Sequence, residues 1–385
     1  MKSWQRVALA MFAVGWGANQ FTPILIAYRE ELGMSVQTRA FLFGVYAAGL
    51  VPALLVGGAA SDRWGRRAVV LPFVALSPLA SVLLLVEHDS TAGLAAARLL
   101  AGACSGVVFS AATAWVAELS EAEGDAGAGP RRAAIALSAG FGAGPFVTGL
   151  VAEWAPAPTE VPYVPHVVLG VVCLLLVPRV PGPAPVPAVR RPLLRVPAVT
   201  RGRRFLTVVA PSAPWVFGCA AISIAYLPGE VGGSTSGALA FVGVLSGVTL
   251  GSGVLVQGLA RRLDDRRPLL AGEVGLALAL LGGGIGVVGL VTDVRWWLLA
   301  AAPLLGCAYG CVLVSGLRET ERVAAPDERG ATVAVFYALT YLGFAFPYAL
   351  GAIGGDVGAL VVALAVAAVC LAVVSVAGRR PVAAP

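Results

Sequence analysis

Charged residues are scarce in this chain of 385 residues. They make up 12% of the sequence, whereas an ordinary soluble domain carries about 25%. Lysine occurs once, at Lys2, so the sequence has no Gly-Lys-Ser or Gly-Lys-Thr of a phosphate-binding loop. The scarcity of charge excludes an ordinary soluble domain, and the missing loop excludes an ATP-driven pump within this chain.

The sequence also has no Cys-x-x-Cys pair, although six cysteines are present. All six lie within apolar stretches, where a small packing role is more typical than a metal-ligand role. Cys307 and Cys311, which are four residues apart, fit helix packing in the same way. We therefore predict neither a metal site nor a cofactor.

Apolar residues make up 58% of the chain, and its mean hydropathy is +0.86. A helix that crosses a bilayer needs about 20 apolar residues. Charged and Pro/Gly-rich breaks divide the chain into twelve such segments, so we predict an all-α membrane protein with twelve transmembrane helices. The predicted spans are 5–28, 40–60, 68–87, 91–117, 131–155, 162–178, 205–228, 236–260, 268–291, 295–317, 330–353 and 357–378.

The basic residues are distributed very unevenly among the predicted loops. Of the 27 Lys and Arg residues, only Arg29, Arg39 and Arg295 fall on one face, and Arg98 lies within a span. Cytoplasmic loops are enriched in Lys and Arg, so we predict that both termini are cytoplasmic. The net charge of +6 is then a membrane-insertion signal, and no nucleic-acid partner is predicted. The strong preference for Arg over Lys, with abundant Ala, Gly, Val and Pro, is associated with GC-rich bacterial genomes, so we predict a bacterial inner-membrane protein.

Residues 179–204 form the one long stretch that is not apolar, and they contain seven arginines. Proline every few residues prevents a regular helix, so this stretch predicts a semi-rigid cytoplasmic linker. It divides the chain into two predicted six-helix bundles, residues 1–178 and 205–385.

The two predicted bundles repeat each other weakly. Gly58 recurs 200 positions later as Gly258, and Pro145 recurs 202 positions later as Pro347. The pair Arg66-Arg67 likewise recurs at 266–267, and Gly149 recurs at position 351. Near-constant offsets in matching spans are typical of transporters built from duplicated bundles.

Residues 58–67, GAASDRWGRR, are predicted to form a short cationic turn between two spans. A generic cytoplasmic loop accounts for Arg66 and Arg67, but not for Asp62 or for the two glycines in register. The spacing G-x-x-x-D-R-x-G-R-R resembles the loop between helices 2 and 3 in the major facilitator superfamily of secondary transporters. This resemblance implies two pseudo-symmetric six-helix bundles that expose one site alternately to either side of the membrane.

The resemblance also implies a conformational gate around this turn. The Asp62 carboxylate would interact with the N-terminal end of helix 11, near residues 330–332, and Arg63 would pair with Glu118 at the end of span 4. Such contacts hold the bundles closed on the inside until transport opens them. The implied gate residues are Gly58, Asp62, Arg63, Gly65, Arg66, Arg67 and Glu118.

Arg98 is the one basic residue that lies well inside a predicted span rather than at its end. Residues 98–106 resemble the R-x-x-x-G-x-x-x-G stretch of the same family. An arginine inside a span is costly and marks function by default, so we predict a role in substrate binding or proton transfer. The alternative is a structural anchor that snorkels to the outer surface.

Span 5 contains Gly140, Gly144, Pro145 and Gly149, which resemble the Gly-Pro motif of the drug/proton antiporters of the family. Thr148 stands where those proteins usually have a further glycine. We expect the small residues of span 5 to pack against Gly243, Gly247 and Gly251 of span 8, since these helices meet across the bundles in the family; the alternative for span 8 is ordinary glycine packing. The motif favours export.

The resemblance places the substrate cavity between spans 1, 4, 7 and 10, with contributions from 2, 5, 8 and 11. An aromatic, weakly polar cavity suits an amphipathic organic molecule, and the alternative for some of these side chains is an interface or packing role. The candidate liners are Trp16, Asn19, Gln20, Tyr46, Trp215, Tyr226, Tyr309, Tyr337 and Tyr341, and candidates for the pathway also include Arg98.

A proton-coupled carrier usually needs an embedded titratable group, yet the middles of spans 1, 4, 7 and 10 contain no Asp or Glu. His88 and His166 are both expected at the outer surface. Glu30 or Glu31, at the outer end of span 1, are the remaining candidates for the coupling residue.

Together these patterns predict a monomeric secondary transporter that exports a small organic molecule, a drug or a secondary metabolite, against inward proton flow. An uptake permease for a metabolite is the alternative within the same fold. A membrane-embedded enzyme or receptor is the remote alternative, because no cluster of catalytic residues and no large soluble domain is evident.

Overall fold

The computed structural model describes residues 1–125, 128–182, 196–231, 236–325, 328–354 and 357–378. Within these ranges, twelve helices are long and apolar enough to cross a membrane, which confirms the predicted all-α architecture. The helices are α1 (Ser3–Leu32), α2 (Val36–Trp64), α3 (Arg66–Val86), α4 (Thr91–Ala122), α5 (Gly129–Trp154), α6 (Val161–Arg179), α7 (Phe205–Glu230), α8 (Ala238–Arg266), α9 (Leu270–Thr292), α10 (Trp296–Val323), α11 (Arg329–Ile353) and α12 (Val357–Gly378).

The chain divides into two compact units. The first comprises Met1–Met34, Leu42–Leu194 and Gly237–Val244, and the second comprises Ser35–Phe41, Arg195–Ser236 and Leu245–Pro385. The start of α8 therefore belongs to the first unit and its remainder to the second. Half of the predicted linker, residues 183–195, lies outside the described residues, and its tethering role stays a prediction.

The predicted ten-residue turn at 58–67 is wrong. Helix α2 continues through Trp64, α3 begins at Arg66, and Gly65 alone separates them, with φ of 93°. Glycine adopts this conformation without a side-chain clash. The charged residues of this segment therefore lie on helical turns, and Arg66 reaches Glu118 of α4.

Glycines bring two helix pairs of the first unit into backbone contact. A Cβ atom at Gly102 or Gly106 of α4 would collide with the carbonyl oxygens of Tyr46 and Leu50 in α2. In the same way, Gly140 and Gly144 of α5 lie against the backbone of α1. Such close approach is typical of helix packing in membranes, where small residues let backbones meet.

The second unit repeats this arrangement. Gly306 and Gly310 of α10 lie against the carbonyl oxygens of Thr249 and Gly253 in α8. Gly343 of α11 packs on the backbone of α7, as Gly140 of α5 does on α1. The glycines of α10 follow those of α4 by 204 positions, so the weak repeat in the sequence corresponds to repeated helix contacts.

Helices α1, α7 and α11 are interrupted. Helix α1 breaks at Gln20, between helical segments Ser3–Asn19 and Phe21–Leu32. Helix α7 widens to a π-helix over Ile222–Tyr226, and α11 tightens to a 3₁₀-helix over Tyr341–Ala345. Prolines follow each of these irregularities within five residues and remove a backbone donor, which explains why the helices depart from regular geometry there.

The cysteines are shielded from solvent. Five of the six are buried, Cys307 is half-buried, and all six are free thiols. Their positions inside helices agree with the packing role inferred from the sequence.

Candidate functional site

Arg66 is the centre of a charged cluster at the point where α2 ends, α3 begins and the last turns of α4 pass close by. Its Nε donates to Glu118 Oε1 at 3.0 Å and its Nη1 donates to Ser61 Oγ at 2.6 Å. Arg66 also forms an ion pair with Asp62, one helical turn earlier. The cluster thus joins three helices through one guanidinium.

The expected pairing of Arg63 with Glu118 is wrong in this structure. Arg66 occupies Glu118, while the Arg63 guanidinium lies over the ring of Trp64, 5.5 Å from its centroid. The reason is the one-residue turn at Gly65, which directs the first residue of α3 back towards α4. Arg67 reaches the other way, and its Nη2 donates to the Pro178 carbonyl at the end of α6, 2.8 Å away.

The second unit contains a comparable cluster that sequence reasoning missed. Asp264 accepts from the Ala271 backbone N–H at 2.9 Å and from Ser315 Oγ at 3.3 Å. Glu319 forms ion pairs with Arg204 and Arg322. Asp62 and Glu118 recur as Asp264 and Glu319, 202 and 201 positions later, so the same offsets as the glycine and proline repeats identify them.

Arg98 is buried and does not snorkel to a surface. Its three guanidinium nitrogens donate to the carbonyls of Leu42, Phe43 and Ala18, at 3.0–3.3 Å. The rings of Phe21 and Tyr46 lie 4.8 and 4.7 Å from the guanidinium carbon. Arg98 therefore ties α4 to α1 and α2, and its predicted role in binding or proton transfer stays a prediction.

Buried polar groups without a partner lie where α1 faces α5. Gly140 packs on Phe12 and Gly144 on Trp16, so the next turns bring Gln20 and Thr148 to the same level. Trp16 Nε1, Gln20 Oε1 and Thr148 Oγ1 are buried and have no hydrogen-bond partner among the described residues. Unpaired buried donors and acceptors are costly, so these three groups are the first unit's candidates for a polar partner.

The other predicted liners of the first unit have structural contacts. Asn19 is buried next to the break in α1. Tyr46 is fully buried and carries Arg98 on its ring.

His166 was expected at the outer surface, and this expectation is wrong. The side chain is buried, with 1% exposed. Its Nδ1 lies 2.7 Å from Ser81 Oγ, its Nε2 lies 2.9 Å from the Ala13 carbonyl, and Gln20 Nε2 donates to Ser81 Oγ at 2.6 Å. Helix α6 begins at Val161, so His166 lies more than one turn inside it; the apolar residues that follow from Val167 were the signal for this.

In the second unit two of the predicted aromatic liners, Tyr309 and Tyr341, stack on Phe217 of α7, whereas Trp215 and Tyr337 contact other rings. The Phe217 ring stacks on Tyr341 of α11 at 4.6 Å and on Tyr309 of α10 at 5.7 Å between centroids. Trp215 contacts Phe346 at 5.2 Å, and Tyr337 contacts Phe336 at 5.7 Å.

Tyr226 is buried at the end of the π-helical turn of α7. One turn earlier, Ser223 Oγ and Thr249 Oγ1 lie 2.8 Å apart. The irregular part of α7 therefore carries both aromatic and hydroxyl groups.

The Gly-Pro motif of α5 contacts two helices rather than one. Gly140 and Gly144 face α1, so their expected contact with α8 is wrong. Gly149 does meet α8, where an added Cβ would lie 2.6 Å from the Leu239 carbonyl and 2.8 Å from Gly243 Cα. Gly251, expected in the same stripe, has open space beside it.

Glu153 fixes α5 to the start of α8. Its carboxylate accepts backbone N–H groups of Gly237 at 2.6 Å, Leu239 at 3.1 Å and Ala240 at 3.4 Å. The first N–H groups of a helix lack partners within the helix, and a carboxylate is stabilising there. This contact was not expected from the sequence.

Twelve candidate membrane helices among the described residues, with breaks in α1, α7 and α11 beside buried polar groups, are typical of a transporter. The sequence matches the profile of the Major Facilitator Superfamily over residues 7–346. The chain belongs to this family, and it is a transporter rather than an enzyme.

Solved structures share the fold. A point mutant of the nucleoside transporter NupG is similar with a TM-score of 0.78 and 13% identity, over 97% of this chain and 99% of that one. A point mutant of the peptide transporter POT has a TM-score of 0.77 and 15% identity, over 98% and 95% of the two chains. The same mutant peptide transporter in complex with alafosfalin gives 0.77 and 14%, with the same coverage. No curated protein matches the sequence.

Proposed function

We propose that the protein is a proton-coupled transporter of the bacterial inner membrane that exports a small organic molecule by alternating access. The observation that carries export is the contact of α5 with α8. Gly149 of the Gly-Pro motif touches the backbone of Gly243, and Glu153, one turn later, holds the N–H groups that open α8. Helix α8 begins in the first unit and continues into the second. We therefore expect that release of its first residues from Glu153 would allow a change in one unit to affect the other.

The contacts of Arg98 and of the broken helices support a neutral or cationic amphipathic substrate. The Arg98 nitrogens donate to three backbone carbonyls, so this guanidinium is not placed to bind the carboxylate of a substrate. The groups offered instead are Trp16 Nε1, Gln20 Oε1 and Thr148 Oγ1 in the first unit. The aromatic cluster around Phe217 in the second unit supplies flat apolar surface, which suits an aromatic or amphipathic molecule.

The charged cluster at Arg66 is proposed as the cytoplasmic gate. Asp62 and Glu118 both pair with this guanidinium. The Asp62 side chain is largely exposed, so its carboxylate can also accept from the first N–H groups of another helix. We retain the cytoplasmic location of both termini from the distribution of basic residues, and a monomer as the working unit.

Transport direction is tested by retention of probes in cells that produce the protein. Ethidium serves as a lipophilic cation, uridine as a nucleoside and alanylalanine as a dipeptide. We expect cells with the wild-type protein to retain less of at least one probe than cells with the Asp62→Asn variant. The difference should vanish when a protonophore collapses the proton gradient.

The alternative, uptake, predicts greater retention of a probe in the wild-type cells. The names of the similar structures, a nucleoside and a peptide transporter, suggest which probes to watch for that outcome. A wild-type difference that survives the protonophore would contradict proton coupling while leaving transport in place.

A further inference from the structure

His166 is a buried titratable group that the proposed transport cycle has not used. Of the two histidines in the chain, His88 lies in the turn between α3 and α4, where its Nε2 faces Glu160 at 3.5 Å and its side chain is partly exposed. His166 lies on α6, buried against α1 and α3. Gly17 makes this position possible, because a Cβ there would lie 2.8 Å from His166 Cε1 and Nε2.

The hydrogen bonds of His166 define its neutral form. Nε2 faces the Ala13 carbonyl, which can only accept, so Nε2 carries a proton. Nδ1 then accepts from Ser81 Oγ, and Ser81 in turn accepts from Gln20 Nε2. The direction of donation runs from Gln20 through Ser81 to the imidazole.

In the protonated form the same three side chains can stay hydrogen-bonded, with donation running from His166 through Ser81 to Gln20. When a proton from water bonds to Nδ1, the imidazolium donates to Ser81 Oγ, and the Ser81 hydroxyl needs a new acceptor. Gln20 Oε1 is buried and without a partner among the described residues. Rotation of the Gln20 amide by half a turn directs this oxygen to Ser81, so the ring and Ser81 stay hydrogen-bonded in both protonation states while Gln20 exchanges a donated bond for an accepted one.

We call His166, Ser81 and Gln20 the switch; the charged and titratable groups of the neighbouring helices are engaged elsewhere or lie at the helix ends. Helix α3 has none between Arg67 and its end at Val86, and the bonds of its first residues run to α4 and α6. On α1 the ionisable groups are Arg6, the buried Tyr28, whose Oη lies 3.0 Å from Tyr163 Oη, and the terminal Arg29, Glu30 and Glu31.

The remaining neighbours are α5 and α6 themselves. Glu153 of α5 is engaged with the start of α8, while Arg131 and Arg132 lie at its opposite end. On α6 the groups are Tyr163, the buried Cys173 and the terminal Arg179. Among the described residues, Ser81 and Ala13 are the hydrogen-bond partners of the ring.

The switch acts where α1 is broken. Gln20 is the residue between the two helical segments of α1, and Arg98 holds the carbonyl of Ala18 just before it. A rotated Gln20 amide changes the polar groups at this break, next to Trp16 and Thr148. Proton uptake at His166 is thereby linked to the groups proposed to meet the substrate.

We propose that His166 binds and releases the coupling proton, and that Ser81 and Gln20 reverse their hydrogen bonds as it does so. The proposal rests on the proton coupling proposed above. It assigns to one side chain a role for which the sequence offered only Glu30 and Glu31.

The transport test compares His166→Gln with His88→Gln in proteoliposomes, with ethidium, uridine and alanylalanine as probes. Two processes are measured: accumulation driven by a pH gradient, and exchange of probe at equal pH. His166→Gln should lose gradient-driven accumulation by about 100-fold, the lower end of what a positioned proton-transfer group supplies, while exchange stays within about twofold. His88→Gln should retain both. If His166→Gln accumulates probe as the wild type does, the proposal is overturned and proton coupling stands.

A spectroscopic test is independent of any substrate. In the His88→Gln protein with ¹⁵N-labelled histidine, the nitrogen signals report His166 alone. As the pH is lowered from about 8 to about 4, a doubly protonated ring should appear, and Ser81→Ala should shift this transition. A ring that stays in the neutral Nε2–H form throughout overturns the proposal.

The two tests separate the possible failures. If the wild-type protein accumulates no probe under a pH gradient, the proposed coupling fails and the nitrogen spectra still decide whether His166 titrates. If His166→Gln does not fold, Ser81→Ala replaces it in the transport test. Ser81→Ala leaves the imidazole in place and removes the middle of the switch, so it too should lose accumulation and retain exchange.

Discussion

The two units place charge in opposite ways at equivalent positions. In the first unit the cation is the shielded member, since the Arg66 side chain is 14% exposed while Asp62 and Glu118 are 64% and 38% exposed. In the second unit the acids are shielded, since the Asp264 and Glu319 side chains have no exposed surface and Arg322 is 28% exposed.

The difference indicates two uses of one duplicated arrangement. An exposed acid contributes little to stability and is free to change partners, as a gate must. A buried acid is costly to leave unpaired, so the second cluster is suited to hold α8 and α10 to Arg204, the residue that directly precedes α7. The helices and positions repeat between the units, whereas the shielded partner is a cation in the first and an acid in the second.

The largest effect should come from Glu319→Ala. The substitution leaves Arg204 and Arg322 without the buried acid and should lower the free energy of unfolding by about 3–5 kcal/mol. The measurement is thermal unfolding of the purified protein in detergent. Asp265→Ala is the matched control, because its pair with Arg318 is exposed and should cost less than about 1 kcal/mol. Equal losses for the two variants would break the comparison.

Arg98→Ala tests a residue that the second unit does not repeat, since the offset of 204 leads to Ala302. It should abolish transport and lower the free energy of unfolding by about 2–4 kcal/mol, because bonds to three carbonyls are lost while a buried charge is also removed. Unfolding and probe exchange are measured together. Lost exchange with unchanged stability would point instead to a direct role in binding.

Gly149→Ala should cost about 1–3 kcal/mol, because its methyl group would collide with Leu239 and Gly243 of α8. Transport should fall with it. Gly351→Ala is the equivalent change in the second unit, where the nearest atom to an added Cβ is Val36 Cγ1 at 3.5 Å, an ordinary contact. Unfolding and probe exchange are compared for both, and a harmless Gly149→Ala would contradict the close α5–α8 contact.

Asp62→Asn should have the smallest effect on stability, less than about 1 kcal/mol, because the acid is largely exposed. It should nevertheless slow transport strongly, since the amide no longer carries the charge that pairs with Arg66 or caps a helix. Probe exchange in proteoliposomes measures the rate. Wild-type exchange rates in this variant would remove Asp62 from the proposed gate.

The twelve helices could be predicted from the sequence because the lengths of apolar stretches fix them, as 68–87 against the observed Arg66–Val86 shows. The partners of individual side chains could not be predicted in the same way. The pairing of Glu118 with Arg66 rather than Arg63 depends on a turn of one residue at Gly65, which is set by φ and not by composition. The packing of Gly140 and Gly144 on α1 could not be predicted from the sequence either, because a row of glycines does not specify which helix packs against it.

The buried position of His166 was missed for a related reason. Its surroundings in the sequence, beside prolines at the start of a short span, resemble a loop, and the apolar run from Val167 does not by itself show that the ring packs against Gly17, Ala13 and Ser81. Asp264 and Glu319 were visible in principle, because they follow the same repeat offsets as Pro145 and Gly149. Repeats therefore predict equivalent positions, whereas partners depend on three-dimensional contacts.

The shielding of the cysteines makes the natural chain a convenient background for chemistry at chosen positions. Five of its thiols are buried and Cys307 is half-buried, so a maleimide that cannot cross lipid will meet few competing groups. A single thiol introduced at Arg63 or at Arg262, both of which are exposed, can be modified from one compartment at a time without first replacing the native cysteines. The side of the membrane on which each junction lies thereby becomes a direct chemical measurement.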